Sequence, residues 1–316
     1  MFGTGNDTPP ALAHRAIRVL TGQVLVRPEC ALPIANGKTS TKSFLEYEKS
    51  KYRDVLADPG EAKGQIARAL FINGAVSYYH FFTYHFPGLL FLSFVKGERV
   101  PLVVARDFPA AAESLLYKLL PTMAGGREVD VVRVVNGIHD VEDVIYTLAP
   151  ERFLAGLLGR QLILPFVLHN AGIANPLRDL GGLKLFVRRE GDSTGRKLVN
   201  QPEVEAWFVA RGYVPVNPGT LPMEEQVILF SRATHIAGVE GGALTNLLFA
   251  ANADYIVMLA SPATEKDLFF QPLVRGTKTV FHTVYGEICG PGPVSRASDY
   301  ILPIAKLDAL DLYVAK

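Results

Sequence analysis

Cysteine is scarce in this chain. Cys30 and Cys289 are the only two among 316 residues, too few for a disulfide framework or a cysteine-rich zinc site. They read as free thiols in a reducing compartment. Charge of one sign is also lacking: 32 Lys and Arg stand against 31 Asp and Glu, a formal net charge of +1. That balance argues against nucleic acid as a partner, because such binding rests on clustered phosphate contacts. No long hydrophobic run is present. The longest stretch without Asp, Glu, Lys or Arg covers 69–95 and holds Asn73, His80, His85 and Pro87, a poor membrane span. The opening residues MFGTGNDTPP have neither the basic nor the apolar region of a secretion signal, so a cytoplasmic location is expected. The 28 Gly and 21 Pro are scattered without a period, which excludes collagen-like and low-complexity chains.

What the chain does have is apolar material: 49% hydrophobic and 10% aromatic residues, with a mean hydropathy of +0.19. Such a chain folds around a large core. At roughly 150 residues per domain, the length suggests two domains or one large one. Short runs rich in β-branched residues read as buried strands at 23–26, 69–72, 102–105, 131–135, 144–148, 183–187, 213–216, 234–239, 255–259 and 279–284. Helical spacing lies between them at 110–120, 202–210, 223–230, 243–250 and 265–274. Pro202 with Glu203 and Glu205, and Pro222 with Glu224 and Glu225, mark helix starts. Arg211-Gly212 marks a helix end. The alternation predicts an α/β fold with mostly parallel sheets and helices on both faces. The polar, Gly- and Pro-bearing segment 175–182 is the expected linker between domains at 1–174 and 183–316. Two Rossmann-like domains facing across a cleft are the expected architecture, with the C-terminal segment available to pack back on the first domain.

Three segments carry candidate chemistry. Residues 233–246 read ATHIAGVEGGALTN: an apolar strand, then Glu240, Gly241 and Gly242, then a helix start with Thr245 and Asn246. Free N–H groups at a helix start bind anions, and glycines let a phosphate approach the backbone. The same glycines also suit a plain tight strand–helix turn. No Gly-Lys-Ser/Thr follows, and the glycine spacing is not G-x-G-x-x-G, so neither a Walker A loop nor a dinucleotide oxidoreductase is supported. Residues 186–203 place Arg188, Arg189, Arg196 and Lys197 beside a strand end. Arginines there can neutralise a diphosphate, although a solvated basic loop is the commoner fate of a charge run. Residues 73–92 put Asn73 at a strand end, followed by an aromatic run with Tyr79 and His80. His80 is a candidate general base or a structural histidine among aromatics.

Together these segments resemble glycosyltransferase family 61. Arg188, then Arg196, Asn200 and Glu203, Gly212, Gln226 and Phe230 fall on the family's pattern. So do Gly238, Gly241, Leu244, Thr245 and Asn246, while Tyr79-His80-Phe81 and 87–90 resemble its first-half run. Two positions depart from it. Glu240 stands where the family has His, and Tyr84 stands where an acidic residue is usual. The resemblance implies a GT-B fold and inverting transfer from a nucleotide sugar, UDP-linked by preference, to a glycan or polysaccharide. It implies no cofactor. The chain also lacks the Asp-x-Asp metal signature of the other main glycosyltransferase architecture, and no metal ligand is expected. Arg188, Arg196, Gly241, Gly242, Thr245 and Asn246 are then the expected donor and phosphate contacts. His80 is the expected base, with Glu240 as the other catalytic candidate, and Asn73 and Tyr79 lie on the acceptor side. A non-catalytic nucleotide-sugar or polysaccharide binder of the same fold is the alternative. The sequence leaves open peripheral attachment to the inner face of the cytoplasmic membrane, and a homodimer.

Overall fold

The computed structural model describes residues 17–27, 30–35, 38–39, 62–72, 78–104, 108–133, 137–147, 152–174, 182–190, 196–290 and 293–310. The chain forms two compact units, Met1–Glu151 and Arg152–Lys316. Among the described residues, no helix is long and apolar enough to cross a membrane.

The first unit is built on one mixed sheet. Its strands are β1 (Ile17–Arg27), β2 (Cys30–Ala35), β3 (Lys38–Thr39), β4 (Ala62–Ala67), β5 (Leu70–Ile72), β6 (Arg99–Val104), β7 (Glu128–Arg133) and β8 (Gly137–Thr147). The order is β3-β2-β1-β8-β5-β6-β7, with β4 also paired to β8. From β8 to β7 every pairing is parallel. The β1–β2–β3 side is antiparallel and was not expected beyond residues 23–26. Between β5 and β6 the chain runs through α1 (Tyr78–His80), a π-helical turn (Phe81–His85) and a 3-10 helix (Phe86–Phe94). The helix α2 (Ala110–Met123) follows β6, and its apolar residues Ala112, Leu115, Leu116 and Leu119 are buried at helical spacing.

The second unit carries a fully parallel sheet of β9 (Leu183–Val187), β10 (Val214–Val216), β11 (Ala233–Val239), β12 (Tyr255–Ala260) and β13 (Val280–Tyr285), in the order β10-β9-β11-β12-β13. The interior strand β12 is buried along its whole length, as expected for a strand covered on both faces. On one side Phe186, Trp207, Phe208, Tyr213, Val257, Leu259, Tyr300 and Leu302 form a core. It is completed by α5 (Gln201–Val209) and α7 (Ile304–Asp308). The C-terminal segment thus contributes its described residues to the second unit.

The two units divide at Glu151 and Arg152, upstream of the expected linker; residues 175–181 of that linker lie outside the described residues. The reason is the packing of α3 (Arg152–Leu158), a π-helical turn (Gly159–Ile163) and α4 (Leu164–Asn170) onto the second unit. A Cβ at Gly156 would lie 1.8 Å from the Leu273 carbonyl oxygen, and one at Gly159 would lie 2.7 Å from that of Leu248. Only glycine permits so close an approach. Arg160 donates from Nη1 and Nη2 to the Leu273 and Arg275 carbonyls. The helix expected at 265–274 is not formed. One short 3-10 turn, Pro262–Thr264, ends just before it and another, Gln271–Val274, stands within it, each with a proline in its first two positions, where proline suits a first turn and no interior one. A further helix, α6 (Met223–Arg232), precedes β11.

Candidate functional site

Strand order fixes where a ligand crevice lies in the second unit. From β9 the chain passes to β10 on one side, then crosses back to β11 on the other. In an open parallel sheet the crevice sits outside the carboxyl ends of the strands at this reversal. Gly238 of β11 pairs with Val187 of β9, so 188–189 and 239–242 leave the sheet side by side. The two segments singled out in the sequence meet at that point.

Glu240 is the centre of the arrangement and is only 4% exposed. One carboxylate oxygen, Oε1, lies 3.3 Å from Nη1 of Arg196. The other, Oε2, accepts from the Thr264 hydroxyl at 2.7 Å. The Glu240 carbonyl accepts from Nη1 of Arg189 at 2.5 Å, and its N–H donates to the Leu259 carbonyl at 2.8 Å. A buried carboxylate needs such partners to remain charged. Arg196 holds a left-handed backbone conformation, φ 59°, unusual for a non-glycine residue. Its N–H donates to the Ala297 carbonyl, while its side-chain Nε is buried and has no hydrogen-bond partner among the described residues. Burial, and then the nearby Arg196, lower the Arg189 pKa; Tyr300 and Glu240 oppose the shift. Burial, and then Glu240, raise that of Tyr300, whose hydroxyl donates to the Leu259 carbonyl at 3.0 Å. Two guanidinium groups and one carboxylate thus share the mouth of the sheet.

The glycines of the turn have separate reasons. A Cβ on Gly238 would meet the Val187 Cβ at 2.8 Å and the Leu244 side chain at 3.0 Å, so this glycine lets β9, β11 and the following helix close together. One on Gly241 would touch the Arg189 side chain at 3.4 Å. A Cβ on Gly242 would meet nothing within 4 Å among the described residues, which leaves space over the backbone there. A 3-10 helix, Gly242–Phe249, starts there, and its first hydrogen bond runs from the Leu244 N–H to the Gly241 carbonyl. The N–H groups of Gly241, Gly242 and Ala243 precede that bond, as anion-binding helix starts require. Thr245 is buried, and its hydroxyl has no partner among the described residues. Asn246 is buried too: its amide donates to Gln226 Oε1 at 2.8 Å and to the Ala243 carbonyl. Gln226 in turn donates to the Leu221 carbonyl. These contacts tie the helix to α6 and make Asn246 a structural residue in this geometry.

Arg188 is not part of the Glu240 cluster. Its backbone N–H donates to the Val216 carbonyl, and its guanidinium pairs through Nε and Nη2 with Glu205 on α5. That pair raises its pKa. The reason is strand alternation: successive side chains point to opposite faces, so Arg189 takes the Glu240 side.

In the first unit, Tyr79 and His80 lie on α1, and Asn73 lies outside the described residues. Tyr79 is buried, and its carbonyl accepts from the Thr83 hydroxyl at 2.7 Å. His80 is half-buried, with its ring 5.8 Å from that of Tyr84, and Tyr84 lies edge-on to Tyr79 at 6.4 Å. A π-helical turn directly after His80 is the kind of irregularity found at functional sites. Burial, and then His80, push His85 down to about 3.

Arg189 stood within the cation run of the sequence, but nothing there separated it from Arg188. Thr264 and Tyr300 carried no sequence signal. Thr264 reaches Glu240 from the turn that follows β12, the neighbour of β11, and Tyr300 comes from the C-terminal segment, where its hydroxyl meets the Leu259 carbonyl.

The profile of the family described as Glycosyltransferase 61 matches residues 78–257. No curated protein matches the chain. Among solved structures, the chain is similar to the bacterial iron-containing dodecameric glycosyltransferase TibC from enterotoxigenic E. coli H10407. The two are 13% identical, the match covers 92% of this chain and 86% of that one, and the TM-score is 0.40.

Proposed function

The chain belongs to glycosyltransferase family 61, its role is glycosyl transfer, and from that premise we propose a donor, an acceptor and a mechanism. The donor is a nucleotide sugar, UDP-linked by preference, carrying a hexosyl or pentosyl group. The acceptor is a glycan or polysaccharide. Transfer inverts the anomeric carbon and needs no metal, and it takes place in the cytoplasm or at the inner face of the cytoplasmic membrane. The second unit binds the donor and the first unit binds the acceptor.

The single observation behind the donor site is the meeting of Arg189, Arg196 and the open Gly241–Gly242 backbone at the strand-order reversal. In the transfer step the acceptor oxygen forms a bond to the anomeric carbon. The bond from that carbon to the diphosphate oxygen breaks, and the leaving nucleotide takes the electron pair. Charge therefore builds on the diphosphate, where arginines and helix-start N–H groups stabilise it best. The acceptor proton passes to a base. We assign this to His80, because both Glu240 oxygens are engaged by Arg196 and Thr264.

That same engagement of Glu240 favours a second reading, a non-catalytic binder of nucleotide sugar or polysaccharide. Turnover separates the two. The protein is incubated with UDP-glucose, UDP-N-acetylglucosamine and UDP-xylose, with and without oligosaccharides, and released UDP is measured. Release from one donor, accelerated by an oligosaccharide, is the expected result. Nucleotide binding without any release would replace the transferase reading with the binder.

A further inference from the structure

Resting on the donor site proposed above, we propose that Thr264 is a positioning residue that acts through Glu240 to hold Arg196 in place for the leaving diphosphate. The chain of contacts is short. Thr264 is 3% exposed, and its hydroxyl lies 2.7 Å from Glu240 Oε2 and 2.8 Å from the Ser261 carbonyl oxygen. A hydroxyl has one proton to donate, and a carboxylate is the stronger acceptor. That bond fixes one oxygen of Glu240, and the other faces Arg196 Nη1 at 3.3 Å.

Arg196 needs such a hold. Its backbone is left-handed, and its Nε is buried with no acceptor. A buried guanidinium N–H without a partner is costly, and a phosphate oxygen is the acceptor that would satisfy it. The guanidinium is thus anchored at one nitrogen by Glu240 and unsatisfied, among the described residues, at another. Thr264 closes the 3-10 turn after β12, the neighbour of β11 in the sheet, so it holds Glu240 from a part of the chain separate from the Arg196 loop.

The arrangement makes a prediction opposite in sign to simple electrostatics. Replacing Glu240 by Gln removes a negative charge beside an anion site. A bystander carboxylate would then leave nucleotide binding tighter, whereas an anchor for Arg196 would leave it weaker. The test is a double-mutant cycle on the full chain, read by titration calorimetry with whichever of UDP, GDP, TDP and CMP the wild type binds most tightly. We expect Glu240→Gln and Thr264→Val each to weaken binding about fivefold or more, with Thr264→Ser within twofold of wild type. We expect Thr264→Val to have no further effect in the Glu240→Gln background, which is the mark of action through that residue. Tighter binding by Glu240→Gln, additive losses in the double variant, or no rescue by Ser would overturn the proposal and leave the donor site standing. Absence of binding by a folded wild type would overturn both.

Discussion

The Arg188 guanidinium lies against the Glu205 carboxylate, with Nε and Nη2 donating to its two oxygens at 2.7 and 2.5 Å. Arg189, one residue on, reaches the Glu240 carbonyl instead. Adjacent residues of one strand end therefore divide the work: Arg188 braces α5, and Arg189 faces the crevice. Arg188→Ala should lower stability by about 1 kcal/mol, a modest figure because the pair is partly exposed, and should change nucleotide affinity less than about twofold. Arg189→Ala should weaken nucleotide binding about tenfold or more, the usual loss for a charge-assisted contact. Urea unfolding and calorimetry on the two variants check the division, and equal losses of affinity would refute it.

Two glycines of the same turn should behave differently. At Gly238 a Cβ meets Val187 at 2.8 Å, so Gly238→Ala should destabilise by about 1–3 kcal/mol through overpacking. Gly242→Ala adds a methyl that finds nothing within 4 Å among the described residues. It should leave the urea midpoint unchanged while weakening nucleotide binding, because the added methyl occupies the space over the backbone N–H groups. A destabilised Gly242→Ala protein would show that the turn, and not a ligand, requires this glycine.

Asn246 and Gln226 should act as a stability pair. Asn246→Ala leaves Gln226 Oε1 buried without the donor it now has, at a cost of about 1–3 kcal/mol. Thermal and urea unfolding should register the loss. The nucleotide dissociation constant of the folded variant should stay within about twofold.

The site was legible in the sequence only as far as neighbouring residues define it. The β9 strand, its arginines and the Glu240-Gly241-Gly242 turn were readable because a short β-branched run stops at a Gly or charge boundary. The expected helix at 265–274 failed because Pro262 and Pro272 each open a short turn that does not propagate. The antiparallel strands β2 and β3 went unread beside β1, since their short runs lack a clear alternation. The Arg188 and Arg189 roles, and the partner Thr264, follow from which strands are neighbours, and Tyr300 arrives from the C-terminal segment; spacing along the chain encodes neither.

Protonation of His85 should weaken the fold in acid. Its folded pKa is pushed down to about 3 from 6.5, so between those values the unfolded chain binds the extra proton. Stability is then fully present above about pH 6.5 and is lost as the pH falls toward 3. His85→Gln should flatten the decline of the melting temperature between about pH 4 and 6.5. An identical decline in the variant would assign the acid sensitivity elsewhere.

His80→Ala should separate binding from chemistry. Loss of a general base lowers turnover by about 10²–10⁴, with nucleotide affinity unchanged because the donor contacts belong to the second unit. Released UDP and calorimetry on the same preparation read both. Full turnover by the variant would remove His80 from the mechanism.

The most direct test of the donor site is a thermal-shift titration of wild type and Arg196→Ala with UDP, GDP, TDP and CMP. A ligand at 100 times its dissociation constant stabilises by about 2.7 kcal/mol, which is readily visible. The account predicts a selective shift with one nucleotide in the wild type and its loss in a folded Arg196→Ala protein. No shift with any nucleotide, or an equal shift in both proteins, would contradict it.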